Sequence, residues 1–533
     1  MKKLIFGALA MGLAASLLSC GGGQNEGDLS NASKPFGSSG GSGSGFVSGS
    51  GVTGLIGIVV DSTNGNPIGG VTVTSGALTA ATDSNGNFAM PTIPTGTSVV
   101  SFNLPAYAPQ SRTVVISSTV ETSIIMLMTP NATTAPATFD PAVGTTFTSG
   151  TVAQLDVAAN ALAHADGSAP AAGNATVIVT QLSTSQDAYL EPGEYVVTPA
   201  AGGSSAFETF GGLDVRINDS GGTALTNVTG AVSVRIPIST RSSAALPGSV
   251  ALFRFDATAG QYVEDGTAVL GGTAPNQFYQ GSITRIGPWV AAQAYTSSII
   301  SVCVENQSGV RIPGARVQSD GIDYSGGGAA VTDATGVALV PMKRSAQAVV
   351  TATSPRSSNS ATISAAQSAA NFTLTPCLVM PTSGLTIRLT WGAAPSDLDS
   401  HLKGPNNTHV FFASTGSLSA QPFAKLDVDD VTSFGPEVIT VARLGQSTYE
   451  YFVHNFSTTH TPGMTGSPAR IEMRFGSQIR IFFPPAGEGT NDYWRVFQFA
   501  VAADCTVTFT SIQQWASTEP VNPVGSGTAS YCP

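Results

Sequence analysis

The chain has 533 residues, of which only 10% are charged, and its formal net charge is −11. That length corresponds to several domains, and the acidic balance argues against nucleic acid, which rewards basic patches. Gly, Ser, Thr, Ala and Val dominate, as in extracellular all-β proteins, and the negative charge suits solubility or cation binding.

Residues 1–19 read as a secretory signal. Lys2 and Lys3 precede an apolar run from Leu4 to Leu18 that is too short to span a membrane as a helix. The segment Leu17-Leu18-Ser19-Cys20 resembles a bacterial lipobox. The resemblance implies that the signal is removed, that Cys20 becomes the first residue, and that acyl chains on it hold the protein at a bilayer. Gly21 follows in place of the Asp that favours inner-membrane retention in well-studied two-membrane bacteria, so an outer-membrane or surface location is favoured. Residues 20–50 form the lipidated cysteine and a flexible linker. Eighteen of residues 21–50 are Gly or Ser, and such a coil spans roughly 30 Å. Gly37-Ser38-Ser39-Gly40-Gly41 matches the pattern of a nucleophile elbow, but neither the preceding strand nor the following helix is there.

From 51 to 129, apolar and polar residues alternate between turn signals. Gly57-Ile58-Val59-Val60-Asp61 opens the first strand, and Pro67-Ile68-Gly69-Gly70-Val71-Thr72-Val73 leads into the second. Thr82-Asp83-Ser84-Asn85-Gly86-Asn87-Phe88 is a hairpin whose Asn-Gly pair accepts positive φ. This series, followed by a Tyr107 segment, resembles the carboxypeptidase regulatory-like domain, a small transthyretin-like β-sandwich. The resemblance implies structural motifs and no peptidase activity. Residues 298–379 repeat the pattern as a second, divergent copy. Gly314-Ala315-Arg316-Val317 stands for Gly70-Val71-Thr72-Val73, and Thr332-Asp333-Ala334-Thr335-Gly336 for the hairpin.

Residues 138–297 lie between the two copies. The Ala-rich stretch from Leu155 to Leu162 is expected as a strand and turn. Leu213-Asp214-Val215, Ile236-Pro237-Ile238, Gly260-Gln261-Tyr262-Val263-Glu264-Asp265-Gly266 and a closing Trp289 resemble a β-rich domain of bacterial surface proteins related to part of cartilage intermediate layer protein. That resemblance implies no catalytic residues, and Phe210, Tyr262 and Trp289 are expected in the core.

Residues 383–533 carry the most pointed chemistry. Leu385, Ile387, Leu389 and Trp391 alternate as a strand. Asp397-Leu398-Asp399-Ser400-His401, then Leu426-Asp427-Val428-Asp429-Asp430, then Gly435-Pro436-Glu437, resemble a secreted bacterial β-domain of unknown function with a D-L-D-x-H motif. Six carboxylates, Asp397, Asp399, Asp427, Asp429, Asp430 and Glu437, fall in a chain poor in charge. Ca2+ takes six to eight oxygens from such groups on loops, so they are a candidate Ca2+ site, although the pattern is not an EF-hand. The competing expectation is that they cap turns or pair with Arg388 and Lys425. Asp399 and His401 share a face of an extended chain, but no motif supplies a nucleophile beside them. His401, His409, His454 and His460 would hold a transition metal only if the fold made them converge. Trp391, Trp494, Tyr449 and Tyr451 are expected in the core rather than as a sugar platform.

With Cys20 assigned to lipid, Cys303, Cys377, Cys505 and Cys532 remain, an even number in an oxidising compartment. Cys303 and Cys377 sit on what read as the first and last strands of one domain, which pairs them and leaves Cys505 with Cys532; four free thiols are the alternative. No Cys spacing suggests zinc.

The sequence thus predicts an all-β chain of tandem β-sandwich domains, transthyretin-like or immunoglobulin-like, strung from a lipid anchor at the bacterial cell envelope. The expected role is structural, adhesive or binding, without catalysis. No cofactor is required beyond the candidate Ca2+. The expected partners are the membrane, through the anchor, and surface glycans or envelope proteins. One alternative is a carbohydrate-binding lipoprotein of an uptake or degradation system. Another is a hydrolase with its site in the C-terminal domain.

Overall fold

The computed structural model describes residues 54–533 apart from 118–121, 132–136, 186–187, 243, 307, 355–356, 381–383, 393, 432, 434, 468, 476–477 and 533. Cys20, and the signal and linker expected over 1–50, lie outside the described residues. The chain is almost entirely β. Among the described residues the only α-helix is the four-residue Gly463–Gly466, and none is long and apolar enough to cross a membrane.

The first module, strands Leu55–Asp61 to Thr122–Met128, is a sandwich of three strands on four. Leu55–Asp61 lies centrally, antiparallel to Asn87–Met90 and parallel to Thr122–Met128. The Thr-Asp hairpin explains its own sequence. The Thr82 hydroxyl donates to Ile68 O at 2.6 Å and accepts from the Val71 amide at 2.9 Å. Asp83 Oδ1 accepts from the amides of Asn85 and Asn87, an Asx turn that fixes the reversal locally. The third module, strands Ser297–Asn306 to Leu378–Met380, has the same strand order in both sheets. It also repeats the bonds: Thr332 Oγ1 reaches Ile312 O at 2.7 Å and accepts from the Ala315 amide at 2.9 Å, while Asp333 Oδ1 takes the Thr335 and Val337 amides. A disulfide joins Cys303 to Cys377.

The second module is built on one eleven-stranded sheet, with a small two-stranded sheet of Leu162–Ala163 and Asn227–Val228 beside it; its 14-residue strand Ser205–Asn218 pairs with Ala175–Leu182 and Pro288–Tyr295. The Ala-rich stretch is strand Ala153–Val157 followed by a turn. Phe210, Tyr262 and Trp289 are buried, as expected. Phe207 makes edge contacts with Phe253 and Tyr262 in a small aromatic core. The fourth module packs a six-stranded sheet against a five-stranded one around Leu385, Ile387, Leu389, Trp391, Tyr449, Tyr451 and Trp494. Its C-terminal tail is tied back by a disulfide between Cys505 and Cys532.

The modules are tandem in sequence but packed together in space, not strung out. Arg112 of the first is buried against the second, where its guanidinium donates to the carbonyls of Glu191 and Tyr189. Glu194 of the second pairs with Arg316 of the third at 2.7 Å. Asp320 of the third takes Arg241 of the second on one oxygen and Arg388 of the fourth on the other. The first module also reaches the fourth directly: Ile58, Val60 and Leu127 share a cluster with Leu190 and Ile481. Each such burial contributes about 2 kcal/mol relative to exposure. Gly65, at φ +71°, sits so close to this contact that a Cβ there would lie 2.4 Å from the Ile481 amide nitrogen. A second cluster, Ile322 and Val349 with Val428 and Val438, joins the third module to the fourth.

Removing one member of a buried ionic group leaves the others desolvated and uncompensated. Asp320→Ala is therefore expected to cost about 3 kcal/mol and to split unfolding into steps in which the fourth module separates first. Calorimetry reads both effects, and a single unfolding transition at an unchanged temperature would contradict the assignment.

Candidate metal centre

Two loops meet at one end of the fourth module. Residues 391–398 lead from strand Leu385–Thr390 into Asp399–Gly404 on the opposite sheet, and residues 429–436 lead from Ala424–Val428 into Glu437–Val441. Asp399 and Glu437 are each the first residue of a strand. Their burial is nearly complete, at 2% and 0% exposed. With Asp429 they form a group in which each residue offers one carboxylate oxygen within 4.8 Å of the others. The Ser400 amide donates to Glu437 Oε2, while Glu437 Oε1 is buried without a partner.

Carboxylates this close in a poorly solvated site cannot all ionise. Burial raises Glu437 well above the ordinary carboxylate range, helped by a hydrogen bond shared with Asp429 and by the charge of Asp399. Asp397 borders the same site. It is pushed up to about 6, first by burial and then by the charges of Asp399, Asp429 and Asp430, and its Oδ1 is also buried without a partner. Asp430 is buried beside these residues. Asp427 stands apart. It occupies a β-bulge between Leu426 and Val428, its Oδ1 lies 3.5 Å from Lys425 Nζ, and burial pushes it up to about 6. Five of the six carboxylates singled out in the sequence therefore gather, and the bulge turns the sixth away. Arg388, the other expected partner, is bound to Asp320. Gly435, at φ +70°, closes the second loop over Trp391, where a Cβ would lie 2.5 Å from the indole ring.

Three of the four histidines converge on the outer face of the adjoining sheet. Asp399 is opposite His454 in register and His401 is opposite Phe452, and His454 Nδ1 is 3.3 Å from Asp399 Oδ2. His401 Nδ1 lies 3.0 Å from His409 Nε2. His401 stacks on Phe452 and on Phe411, and Phe411 stacks on His409. Burial first, then the charges of His409, His454 and Lys403, push His401 down to about 2, so the imidazole is neutral at pH 7. His460 pairs with Asp492 instead. The residue the sequence did not flag is Glu519. It comes from the disulfide-tied tail, pairs with Lys403, and places Oε1 3.6 Å from His409 Nε2.

The four aromatics proposed for a core or a sugar platform are buried, so they offer no face to a glycan. Among the described residues near the histidines, Phe412 and Phe456 are the exposed rings. A nucleophile beside Asp399 and His454 would be needed for hydrolysis, and no motif in the sequence pointed to one.

Residues 54–128 match the carboxypeptidase regulatory-like domain family, and the first module is such a domain. No curated protein matches the chain. Among solved structures, the unknown-function protein SAV2460 is similar over 26% of this chain and 92% of its own, at 18% identity and a TM-score of 0.21. The Bacillus anthracis TIE protein is similar over 62% of this chain and 51% of its own, at 9% identity and a TM-score of 0.14. BcpA, the major pilin subunit of Bacillus cereus, is similar over 62% of this chain and 99% of its own, at 11% identity and a TM-score of 0.14.

A carboxyl whose folded pKa is raised contributes stability below its unfolded value and loses that contribution as pH rises through the folded value. For Asp397 and Asp427 the window runs from 3.8 to about 6. In metal-free buffer, Asp397→Asn and Asp427→Asn are each expected to gain on the parent chain as pH rises from about 4 to 7. Urea midpoints across that range read the difference, and a gap that stays constant with pH would contradict it.

Proposed function

We propose that this protein is a lipid-anchored component of the bacterial cell envelope, with a structural or adhesive role, whose fourth module binds Ca2+ at its acidic end. The observation that carries the Ca2+ reading is the group Asp399, Asp429 and Glu437. It comprises two buried carboxylates and one exposed one, with ligand oxygens within 4.8 Å and a buried Glu437 oxygen lacking a partner. Asp397, with its own unpartnered buried oxygen, adds a fourth donor. An all-oxygen set built on two loops suits Ca2+, which tolerates irregular geometry and high coordination number. The cation neutralises charges that otherwise force protons onto Asp397 and Glu437. In that role it fastens the two loops together and stiffens the end of the sandwich.

The anchor rests on the lipobox-like Leu17-Leu18-Ser19-Cys20 and the Gly/Ser-rich segment after it. The third module, which repeats the strand order and the Thr-Asp turn of the first, is on this reading a second carboxypeptidase regulatory-like domain. The second module and the body of the fourth serve as scaffold, presenting the acidic end to surface glycans or envelope proteins.

Calcium at a hundred times its Kd is expected to add about 2.7 kcal/mol of stability to the fourth module over chelator. Asp399→Asn and Glu437→Gln abolish that gain, while Asp427→Asn keeps it. The absence of any melting shift at millimolar Ca2+ would overturn the Ca2+ reading. For the anchor, Cys20→Ser is expected to release the protein from the membrane fraction, and unchanged retention would refute lipidation there.

A further inference from the structure

We infer that His401, His409 and Glu519 form a second metal site, one for a first-row transition ion such as Zn2+ or Co2+, distinct in its ligand atoms from the acidic cluster. The nitrogen His409 Nε2 lies between the other two donors, 3.0 Å from His401 Nδ1 and 3.6 Å from Glu519 Oε1. A tetrahedral ion with bonds of about 2.0–2.1 Å requires donor separations of about 3.3 Å. The two observed separations bracket that value, and all three ligand atoms lie within 4.8 Å of one another, so side-chain adjustment closes the triangle around an ion. Two imidazoles and one carboxylate select a transition ion over Ca2+, which takes oxygen.

The surroundings are those of a prepared site. The ring plane of His401 is fixed between Phe411 and Phe452 at centroid distances of 5.1 and 4.7 Å, and His409 is held on Phe411 at 4.1 Å. His401 is only 4% exposed, and its second nitrogen, Nε2, is buried without a partner. Asp399 and His454 each place a ligand atom within 4.8 Å of a His401 ring nitrogen. A carboxylate beside a metal-bound imidazole is the kind of group that orients it, and Asp399 stands in that position here. Glu519, at 42% exposed side chain, is the open side, where water completes the coordination.

Lys403 opposes the ion. In the metal-free chain its ammonium pairs with Glu519 and also donates to Pro520 O at 2.7 Å. A metal must displace it from Glu519, so removing the lysine tightens binding, whereas a purely structural role for the cluster gives no such result. The tail carrying Glu519 is held by the strand Val507–Ala516 that precedes it, by Asn522, which donates to Gly404 O at 2.7 Å, and by the Cys505–Cys532 disulfide.

The test is titration of the full, tag-free chain with Co2+, read by the visible absorption of a four-coordinate cobalt centre. A stoichiometric band that Zn2+ displaces and excess Ca2+ does not is expected. Loss of one outer-shell partner weakens metal affinity by 10–100-fold, so His409→Ala and Glu519→Gln are expected to weaken it by at least about 100-fold. Lys403→Met strengthens it and His460→Ala leaves it unchanged. Glu519→Gln sits on the exposed tail and leaves the sandwich core intact, so its result stands even where a histidine variant fails to fold. No cobalt band at millimolar metal, or a band indifferent to both His409→Ala and Glu519→Gln, would overturn the assignment. Neither result bears on Ca2+ binding, which is read with different atoms.

Discussion

Asp320 has Arg241 on one carboxylate oxygen and Arg388 on the other, so three modules meet at one side chain. None of the three charges is well solvated, and each is tolerable only while the others stay in place. The same logic recurs along the seam, where Glu194 meets Arg316 and the buried guanidinium of Arg112 is satisfied by carbonyls of the neighbouring module. The stretch from Tyr189 to Glu194 acts as the hub. Tyr189 OH donates to Ser319 O and Gly328 O of the third module, and Leu190 O accepts from Gln110 of the first. In a chain that is only 10% charged, a notable part of its arginine is spent on holding modules together. Buried pairs contribute little net stability by themselves; what they supply here is a defined orientation, with the apolar clusters at Ile481 and Val428 providing the burial.

That orientation frames the acidic end of the fourth module. Arg388, on the strand that enters the 391–398 loop, is held by Asp320 rather than by the acidic residues it could have neutralised. The cluster of Asp397, Asp399, Asp429 and Glu437 is therefore left without an arginine partner among the described contacts, and burial, with the neighbouring carboxylates, raises Asp397 and Glu437. On the adjoining sheet face, pairing between strands and the returning tail together assemble the histidines with Glu519. Packing between modules thus leaves the electrostatic problem that a cation would solve.

Much of this architecture was legible in the chain. The Thr-Asp-x-x-Gly turns were readable because their bonds are local: the threonine and aspartate satisfy backbone groups within about twenty residues. Period-two alternation placed Leu385 to Trp391 and Tyr449 to Tyr451 in a core, and the even cysteine count, with Cys303 and Cys377 read on the first and last strands of one domain, led to the two disulfides that form. The shared face of Asp399 and His401 followed from strand geometry alone. Asp427 was misplaced because a bulge shifts the face of a strand by one residue, and nothing in Leu426-Asp427-Val428 announces it. Glu519 was invisible because its proximity to His409 depends on a tail returning over more than a hundred residues. The contacts between the tandem modules were invisible for a related reason. Arg112, Arg241, Arg316 and Arg388 look like ordinary surface charges until their partners in other modules are known.

The packing of the four modules into one body, with the first touching the fourth, is what the rest of the structure depends on. It is tested most directly by a pulsed electron-spin distance measurement between labels placed at exposed Thr97 in the first module and exposed Ser419 in the fourth, each substituted by cysteine in a Cys20→Ser background. One narrow distance distribution, unchanged by dilution, is expected. A broad distribution extending to the range of four sandwiches on flexible joints would contradict it.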